Sequence, residues 1–151
     1  MPLLANWIRS GGSAAPPLAY CTIAVALAAA PTRSVAYGKE VWECYAETIS
    51  PEPAQLLLRV SNGTKKGTLF ATKKLGDRLI ISGDLILNDP TNATVLYGQM
   101  FCDAHDDQFV NEVIVVGRLS KEAKVSDTQK SAARSVAVNR YNDGEELTDW
   151  F

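Results

Sequence analysis

The stretch NEVIVVGRLSKEAKVSDTQKSAARSVAVNRY, residues 111–141, decides the fold class. Residues 111–119 are dominated by valine, isoleucine and leucine, and residues 133–141 form a second run centred on Ala137 and Val138. Short runs rich in β-branched residues and bounded by polar segments are typical of β-strands. The Asn-Asp-Gly sequence at 142–144 suits a tight turn. The stretch therefore predicts two strands, with a turn after the second.

A similar pattern occurs about 110 residues earlier, and a period of that length indicates a domain rather than a solenoid repeat. Each copy has an apolar strand with an arginine, a strand centred on Ala-Val, and a Gly-acid turn followed by a tryptophan. The earlier copy is PLLANWIRS (2–10), AYCTIAVALA (19–28) and GKEVWECY (38–45), and the later copy is EVIVVGRLS (112–120), ARSVAVNRY (133–141) and GEELTDWF (144–151). We predict a divergent first domain at 1–105, a hinge at 103–107 and a partial second unit at 106–151.

The second copy resembles the opening of a bacterial-type single-stranded DNA-binding protein. NEVIVVGRLSKEAKV (111–125), SAARSVAVNRY (131–141) and DWF (149–151) are similar to that family's first strand, second strand and start of the third strand. KKLGDRLIISGDLIL (73–87) is similar to its fourth strand. The resemblance implies an all-β OB-fold with a short helix. Such a five-stranded Greek-key barrel binds extended strands across one face, and here a partial second OB unit would follow it.

The remaining elements are assigned from residue type and turn signals. Strands are predicted at 3–9, 19–28, 40–48, 54–60, 78–87, 94–102, 111–119 and 133–141. A short helix is predicted over Thr64–Lys74, where the family has a helix between its third and fourth strands. Ser50, followed by proline, could instead begin a second helix through residues 54–58, so this segment keeps two interpretations.

Binding of single-stranded nucleic acid requires flat aromatic rings for unstacked bases and cations for phosphates. Trp150 lies where the family has an aromatic residue that packs against bases, and Trp42 is taken as its equivalent in the first copy. Burial in the barrel core is the alternative for Trp42. The predicted DNA-binding residues are Trp42, Lys73, Lys74, Arg78, Arg118, Arg134, Arg140, Tyr141, Trp150 and Phe151.

The first copy departs from the family pattern in charge. Residues 26–28 are Ala-Leu-Ala where the second copy ends its strand with Arg140 and Tyr141, and Asp84 stands where the family commonly has a basic residue. A carboxylate repels phosphate. We therefore expect the first barrel to have lost part of a binding surface and to serve as an assembly platform.

Composition allows a packed domain and gives no sign of catalysis. The chain has 151 residues, 46% of them hydrophobic, a net charge of −2 and a pI of about 5.4, so local rather than overall charge would have to attract DNA. Three widely spaced cysteines suggest neither a disulfide framework nor a zinc site. His105 is the only histidine, which leaves no plausible nucleophile–base pair. We predict no enzymatic activity, no metal and no cofactor.

The N-terminal region has two interpretations. Residues 1–39 contain no acidic residue and include an apolar run from Leu18 to Ala30, a combination that is typical of a presequence. The run is too short to span a bilayer and lies where the repeat places a strand. We predict a cytoplasmic, nucleoid-associated protein without membrane contact. If residues 1–30 are a presequence, the protein would be organellar or secreted.

The last residues also have two interpretations. Asp149-Trp150-Phe151 matches the start of the family's third strand, so the chain would be a fragment of a longer protein, would exchange strands with another copy or a partner, or would pack its extra strands on the first barrel. Alternatively, residues 145–151 resemble the acidic, Phe-terminated tip through which the family recruits repair and replication enzymes.

Two functions follow from these patterns. The first is binding and protection of single-stranded DNA in replication, recombination or repair, by a homo-oligomer that also contacts replication or repair proteins. The second is an OB-type protein-interaction module, exported or imported into an organelle, that does not bind DNA.

Overall fold

The computed structural model describes residues 18–120, 123–142 and 145–151. The predicted strand at 3–9 and residues 1–17 of the alternative presequence lie outside the described residues. Within the described part, no helix is both long enough and apolar enough to cross a membrane.

The first part of the chain forms a closed barrel of five strands. These are β1 (Leu18–Leu27), β3 (Lys39–Thr48), β4 (Gln55–Ser61), β5 (Arg78–Ile86) and β6 (Val95–Asp103), and β2 (Thr32–Ala36) forms a hairpin with β3. The order is β3-β4-β6-β5-β1, and β1 also pairs with β3, which closes the barrel. β4 and β6 are parallel, and the other barrel pairs are antiparallel. This arrangement is the OB-fold and confirms the predicted fold class.

Helix α1 (Lys65–Phe70) connects the third barrel strand, β4, to the fourth, β5, as predicted, although it is shorter than Thr64–Lys74. The Thr64 side chain caps the helix by accepting a hydrogen bond from the Gly67 N–H at 2.9 Å. A Cβ at Gly67 would lie 2.1 Å from the Ser61 carbonyl oxygen. Glycine is therefore needed here so that the helix can approach the end of β4.

Alternate residues of the strands face inward and fill the barrel. The core cluster consists of Cys21, Ile23, Val25, Leu27, Cys44, Ala46, Leu56, Leu58, Val60, Phe70, Leu79, Ile81 and Leu96. Phe70, from the end of α1, is fully buried, and its ring meets that of Phe101 edge-on with centroids 5.6 Å apart. Burial of a side chain of this size contributes about 1.5–3 kcal/mol and ties α1 to the barrel.

The rest of the described chain forms short strands that extend beyond the barrel. These are β7 (Asn111–Val116), β8 (Arg118–Leu119), β9 (Lys124–Val125), β10 (Ala132–Ala133), β11 (Val136–Asn142) and β12 (Glu145–Trp150). β7 pairs with β1, and β9 and β10 form a small hairpin. Strands β12, β11 and β8, in that order, form a three-stranded antiparallel sheet that we call the second sheet. A Cβ at Gly117, between β7 and β8, would lie 2.2 Å from the Ala137 carbonyl oxygen, so glycine allows the chain to pass close to β11.

The alternative helix at 54–58 is wrong, because these residues belong to β4. Leu56 and Leu58 face the core, while Leu57 is buried on the other side of the strand. A strand buried on both faces has a continuous apolar run, which residue type alone does not distinguish from a buried helix.

The repeat alignment is wrong by one strand in the first copy. The repeat places residues 19–28 opposite 133–141, as a second strand, yet they form β1, the first strand of the barrel. β11 lies between β8 and β12 as β3 lies between β1 and β4, so β11 corresponds to β3. The counterpart of Trp150 therefore lies on β4, and Trp42, on β3, is not its equivalent.

The predicted third strand of the second unit is present. β12 is paired with β11 from Glu145 to Trp150, so these residues form a strand rather than a free acidic tail. The connection from β6 to β7 spans residues 104–110 and includes much of the predicted hinge. The domain boundary at 105/106 stays a prediction, because β7 continues the barrel sheet beside β1.

Candidate nucleic-acid interface

One face of the second sheet carries an aromatic ring and an arginine side by side. Ala137 on β11 is paired with Trp150 on β12 and with Arg118 on β8, so the three side chains point to the same face. Trp150 is 58% exposed, Arg118 is also exposed, and Ala137 between them is buried. Because adjacent strands lie about 4.8 Å apart, the backbones of Trp150 and Arg118 are roughly 10 Å apart. The indole ring thus offers an open surface near a guanidinium group.

Three other residues of this face are polar and bonded to one another. Asn139 and Thr148 are a cross-strand pair, and the Thr148 hydroxyl donates to Asn139 Oδ1 at 3.0 Å. Asn139 Nδ2 donates to Glu146 Oε1. Since Glu146 is four residues from Trp150 along β12, its carboxylate lies roughly 13 Å from the tryptophan position.

Two further predicted residues adjoin the strands that carry Arg118 and Trp150. Arg134 is exposed, and its Nε and Nη2 atoms donate to the carbonyl oxygen of Ser120, the Nε contact at 3.2 Å. Phe151 is half-buried, and its backbone exchanges hydrogen bonds with Val136 at 2.8 and 3.0 Å. The side chain of Tyr141 lies outside the described residues. The structure thus brings Arg118, Arg134 and Trp150 to one region, whereas Phe151, which pairs with Val136, points to the opposite face of the sheet.

Two lysines that the sequence analysis did not single out extend the positive charge. Lys124 begins β9, Lys130 precedes β10, and both are exposed. The hairpin that carries them ends next to Arg134, with Asp127 in its turn. Lys124, Lys130 and Arg134 flank the Ser126-Asp127-Thr128 turn, and this spacing is the sequence signal that could have identified the two lysines.

Arg140 faces the other side of the second sheet, away from Trp150. Its cross-strand partner is Leu147, and its Nε atom lies 2.9 Å from Oδ2 of the buried Asp149. The Arg140 guanidinium group, which was predicted to contact phosphate, therefore contacts an internal carboxylate instead.

The predicted cations of the first unit lie near the opposite end of the barrel strands. Lys73 forms an ion pair with Asp103 at 2.7 Å, and Arg78 lies 3.6 Å from the Asp106 carboxylate. Lys74, beside Lys73, is exposed. Arg78 is the first residue of β5. The second sheet contacts Leu87 and Asn88, just after the end of β5, roughly 27 Å further along the strand. The structure does not bring these cations together with the exposed face of the second sheet.

Trp42 is partly buried and packs against the barrel core. Its Nε1 atom donates to Asn62 Oδ1 at 3.1 Å, and the guanidinium carbon of Arg33 lies 5.9 Å from the ring centroid, a cation–π contact. Stacking on Trp42 stays a prediction, and Trp150 is the more exposed of these two rings.

The outer face of β3 and β4 in the first barrel is rich in acid. Glu43, Tyr45 and Glu47 lie on this face, because Cys44 and Ala46 between them point into the core. This is the face on which OB-folds commonly bind oligonucleotides. The carboxylates of Glu43 and Glu47 repel phosphate there.

Arg59, the arginine of this face, forms ion pairs with two carboxylates of the same barrel. Arg59 is buried, its Nε lies 2.7 Å from Glu43, and its Nη1 lies 2.7 Å from Asp89. Burial favours the neutral form of Asp89, but hydrogen bonds from Arg59, Thr91 and Tyr37 outweigh it and lower the pKa of Asp89 to about 2. A phosphate would have to displace these partners to reach Arg59.

The described residues contain no cluster of three or more His, Cys, Asp or Glu side chains that could hold a metal ion. The three cysteines are free. Burial raises the pKa of Cys21 to about 11, and burial followed by the nearby Glu43 charge raises the pKa of Cys44 to about 12. Thiols with such pKa values remain protonated at neutral pH and are poor nucleophiles.

The OB-fold is shared with solved single-stranded DNA-binding proteins. The chain is similar to the wild-type single-stranded DNA-binding protein from Thermus aquaticus, with 14% identity and a TM-score of 0.60, over 89% of this chain and 73% of that chain. A deletion variant of the Thermus aquaticus protein gives 13% identity and a TM-score of 0.60, over 90% and 75%. At this identity the similarity shows a common fold. No protein-family model matches the sequence, and no curated protein matches it.

Proposed function

We propose that the protein binds single-stranded DNA on the exposed face of the second sheet, without catalysing a reaction. The observation that carries this proposal is the register that sets Trp150 and Arg118 on either side of Ala137. A base stacks on the indole ring while the guanidinium group contacts a neighbouring phosphate. Stacking contributes about 1–3 kcal/mol per base and accepts any base, so we expect little base selectivity.

The cations around this face provide the phosphate contacts. Arg134 lies at its margin, and Lys124 and Lys130 lie on the adjoining hairpin. Local positive potential attracts an anionic chain even when the net charge of the protein is slightly negative. The first barrel, with Glu43 and Glu47 on its outer face, acts as a platform and not as the main binding surface.

The similarity to single-stranded DNA-binding proteins supports roles in DNA replication, recombination or repair, as a homo-oligomer with replication or repair proteins as partners. Three free cysteines support a reducing, cytoplasmic location at the nucleoid. The alternative is a protein-interaction module, and the acidic face of β3 and β4 favours it for the first barrel alone.

Titration of a fluorescent oligo-dT with the protein at low salt, followed by anisotropy, tests the proposal. We expect salt-sensitive binding by the wild type, weaker binding to duplex DNA, and quenching of tryptophan fluorescence. Trp150→Ala should raise Kd about 5- to 150-fold, which corresponds to loss of one stacked base.

Trp42→Ala is the matched control, because it removes the same side chain from a site packed against the core. If binding lies on the second sheet, its Kd should stay close to the wild-type value once the folded fraction is measured by circular dichroism, whereas a raised Kd would show that Trp42 also stacks on bases. Absence of oligo-dT binding by the wild type would refute the proposal and favour the interaction module. Equal binding by wild type and Trp150→Ala would refute the placement of the binding surface on the second sheet.

A further inference from the structure

Arg140 makes three kinds of contact, and two of them connect the second sheet to the first barrel. Its Nε donates to Asp149 Oδ2 at 2.9 Å, and its Nη2 donates to the carbonyl oxygen of Asn88. Its guanidinium carbon also lies 5.8 Å from the centroid of the Tyr37 ring. Asn88 follows β5, and Tyr37 lies in the turn between β2 and β3, so both of these partners belong to the barrel.

Asp149 binds the same part of the barrel directly. Its Oδ1 accepts hydrogen bonds from the backbone N–H groups of Leu87, at 3.1 Å, and Asn88, at 2.5 Å. The residue is 1% exposed, so its carboxylate is shielded from water. A buried carboxylate with an arginine and two N–H partners is well satisfied, and loss of one partner is costly.

The contacts continue into the barrel wall. The Tyr37 hydroxyl donates to Asp89 Oδ1 at 3.0 Å, and Asp89 pairs with Arg59 on β4. The second sheet is thus held to two connections of the barrel that are themselves bonded to a barrel strand. We call the set formed by Tyr37, Asn88, Arg140 and Asp149 the sheet anchor.

We propose that Arg140 and Asp149 are positioning residues, which set the second sheet on the barrel so that Trp150 and Arg118 present a single binding surface. This inference rests on the proposed function. Asp149 precedes Trp150 on β12, and consecutive residues of a strand point to opposite faces. Holding Asp149 against Leu87 and Asn88 therefore orients the backbone that carries the exposed indole.

The same contacts argue against a phosphate contact by Arg140. Its Nε and Nη2 donors are occupied by Asp149 and by the Asn88 carbonyl. A phosphate near this guanidinium would also approach the Asp149 carboxylate, which repels it. Arg118 lies on the opposite face and has no ion-pair partner among the described residues.

The salt dependence of binding distinguishes these two roles. Each phosphate contact with a single strand contributes about 0.7 to the slope of log Kd against log salt. Oligo-dT is titrated at several salt concentrations with wild type, Arg140→Met, Asp149→Asn, the double variant and the control Arg118→Met. We expect each anchor variant to raise Kd about tenfold with an unchanged slope, and Arg118→Met to lower the slope by about 0.7.

Because Arg140 and Asp149 act as one unit, the double variant should lose about tenfold rather than the hundredfold expected of independent residues. A lower slope for Arg140→Met, together with unchanged or tighter binding by Asp149→Asn, would make Arg140 a phosphate contact and overturn the inference. Unchanged Kd values in both anchor variants would also overturn it. Failure of the wild type to bind oligo-dT would instead refute the proposed function.

Thermal unfolding by circular dichroism accompanies each titration, because the anchor variants remove buried contacts. If Arg140→Met does not fold, Tyr37→Leu provides a second measurement, since it removes the ring under the Arg140 guanidinium and leaves the charge of that residue in place. Its Kd should rise with an unchanged salt slope. A Tyr37→Leu variant with the wild-type Kd would contradict the role of the anchor.

Discussion

Asp89→Asn should make the stability of the protein less sensitive to acid. Asp89 is buried and accepts hydrogen bonds from Arg59, Thr91 and Tyr37. These partners lower its pKa from 3.8 to about 2 in the folded state. A carboxylate with a depressed pKa stabilises the fold fully above its unfolded pKa, near 4, and this contribution is lost as the pH falls towards 2.

The pKa values determine the size of the effect. The total contribution of Asp89 is about 2.4 kcal/mol, since one pKa unit corresponds to about 1.36 kcal/mol. About 1 kcal/mol of this is lost between pH 6 and pH 3, before the folded-state carboxylate is half protonated. Asparagine does not titrate, so the variant should be less stable than the wild type at pH 6. This gap, the difference between their free energies of unfolding, should narrow by about 1 kcal/mol at pH 3.

Urea unfolding followed by circular dichroism at pH 6, 5, 4 and 3 measures this gap. Comparing the two proteins at each pH cancels the titration of the other carboxylates. Asp106→Asn is the matched control, because the Asp106 side chain is 98% exposed in its contact with Arg78 and its ion pair should contribute little to stability. A gap between wild type and Asp89→Asn that is the same at pH 6 and pH 3 would refute the assigned role of the Arg59–Asp89 pair.

Two further predictions concern the barrel. Iodoacetamide at pH 8 should label only Cys102 in the native protein, because burial raises the pKa values of Cys21 and Cys44. Mass spectrometry should show one adduct, which Cys102→Ser abolishes, and two or more adducts would contradict this prediction. Phe70→Ala should destabilise the fold by about 3–5 kcal/mol in urea unfolding, since it leaves a cavity at a fully buried site. Leu69→Ala, on the exposed side of α1, should have little effect. Equal losses of unfolding free energy in the two variants would contradict the packing of Phe70 into the core.

The strands could be predicted from the sequence wherever residue type was distinctive. β1, β3, β5 and β6 are rich in aliphatic or aromatic residues, and their predicted bounds agree with the structure to within about two residues. β2 was missed because Thr32–Ala36 is short and mostly exposed. The turn after it places Tyr37 and Gly38 at φ of 52° and 73°, and tyrosine at such a position gives no turn signal of the kind that Asn-Gly gives.

The candidate site was predicted only in part, because a strand assignment does not determine which face meets water. Arg118 and Arg140 are both arginines at predicted strand ends, yet the first is exposed and the second contacts Asp149. That difference depends on packing of the second sheet against the barrel. Likewise, the contact of Arg59 with Asp89, 30 residues further along the chain, arises from the barrel closure and has no local sequence signal.

Two sets of strands with equivalent pairing therefore carry opposite chemistry. On β3 and β4 the arginine, Arg59, is buried between Glu43 and Asp89, and the arrangement stabilises the barrel. On the second sheet Arg118 remains exposed, on the same face as Trp150. Because carboxylates repel phosphate and exposed guanidinium groups attract it, we expect the single strand of the proposed function to bind at the second surface and not at the first. A net charge of −2 is compatible with this expectation, since Glu43 and Glu47 lie on a different face from Arg118.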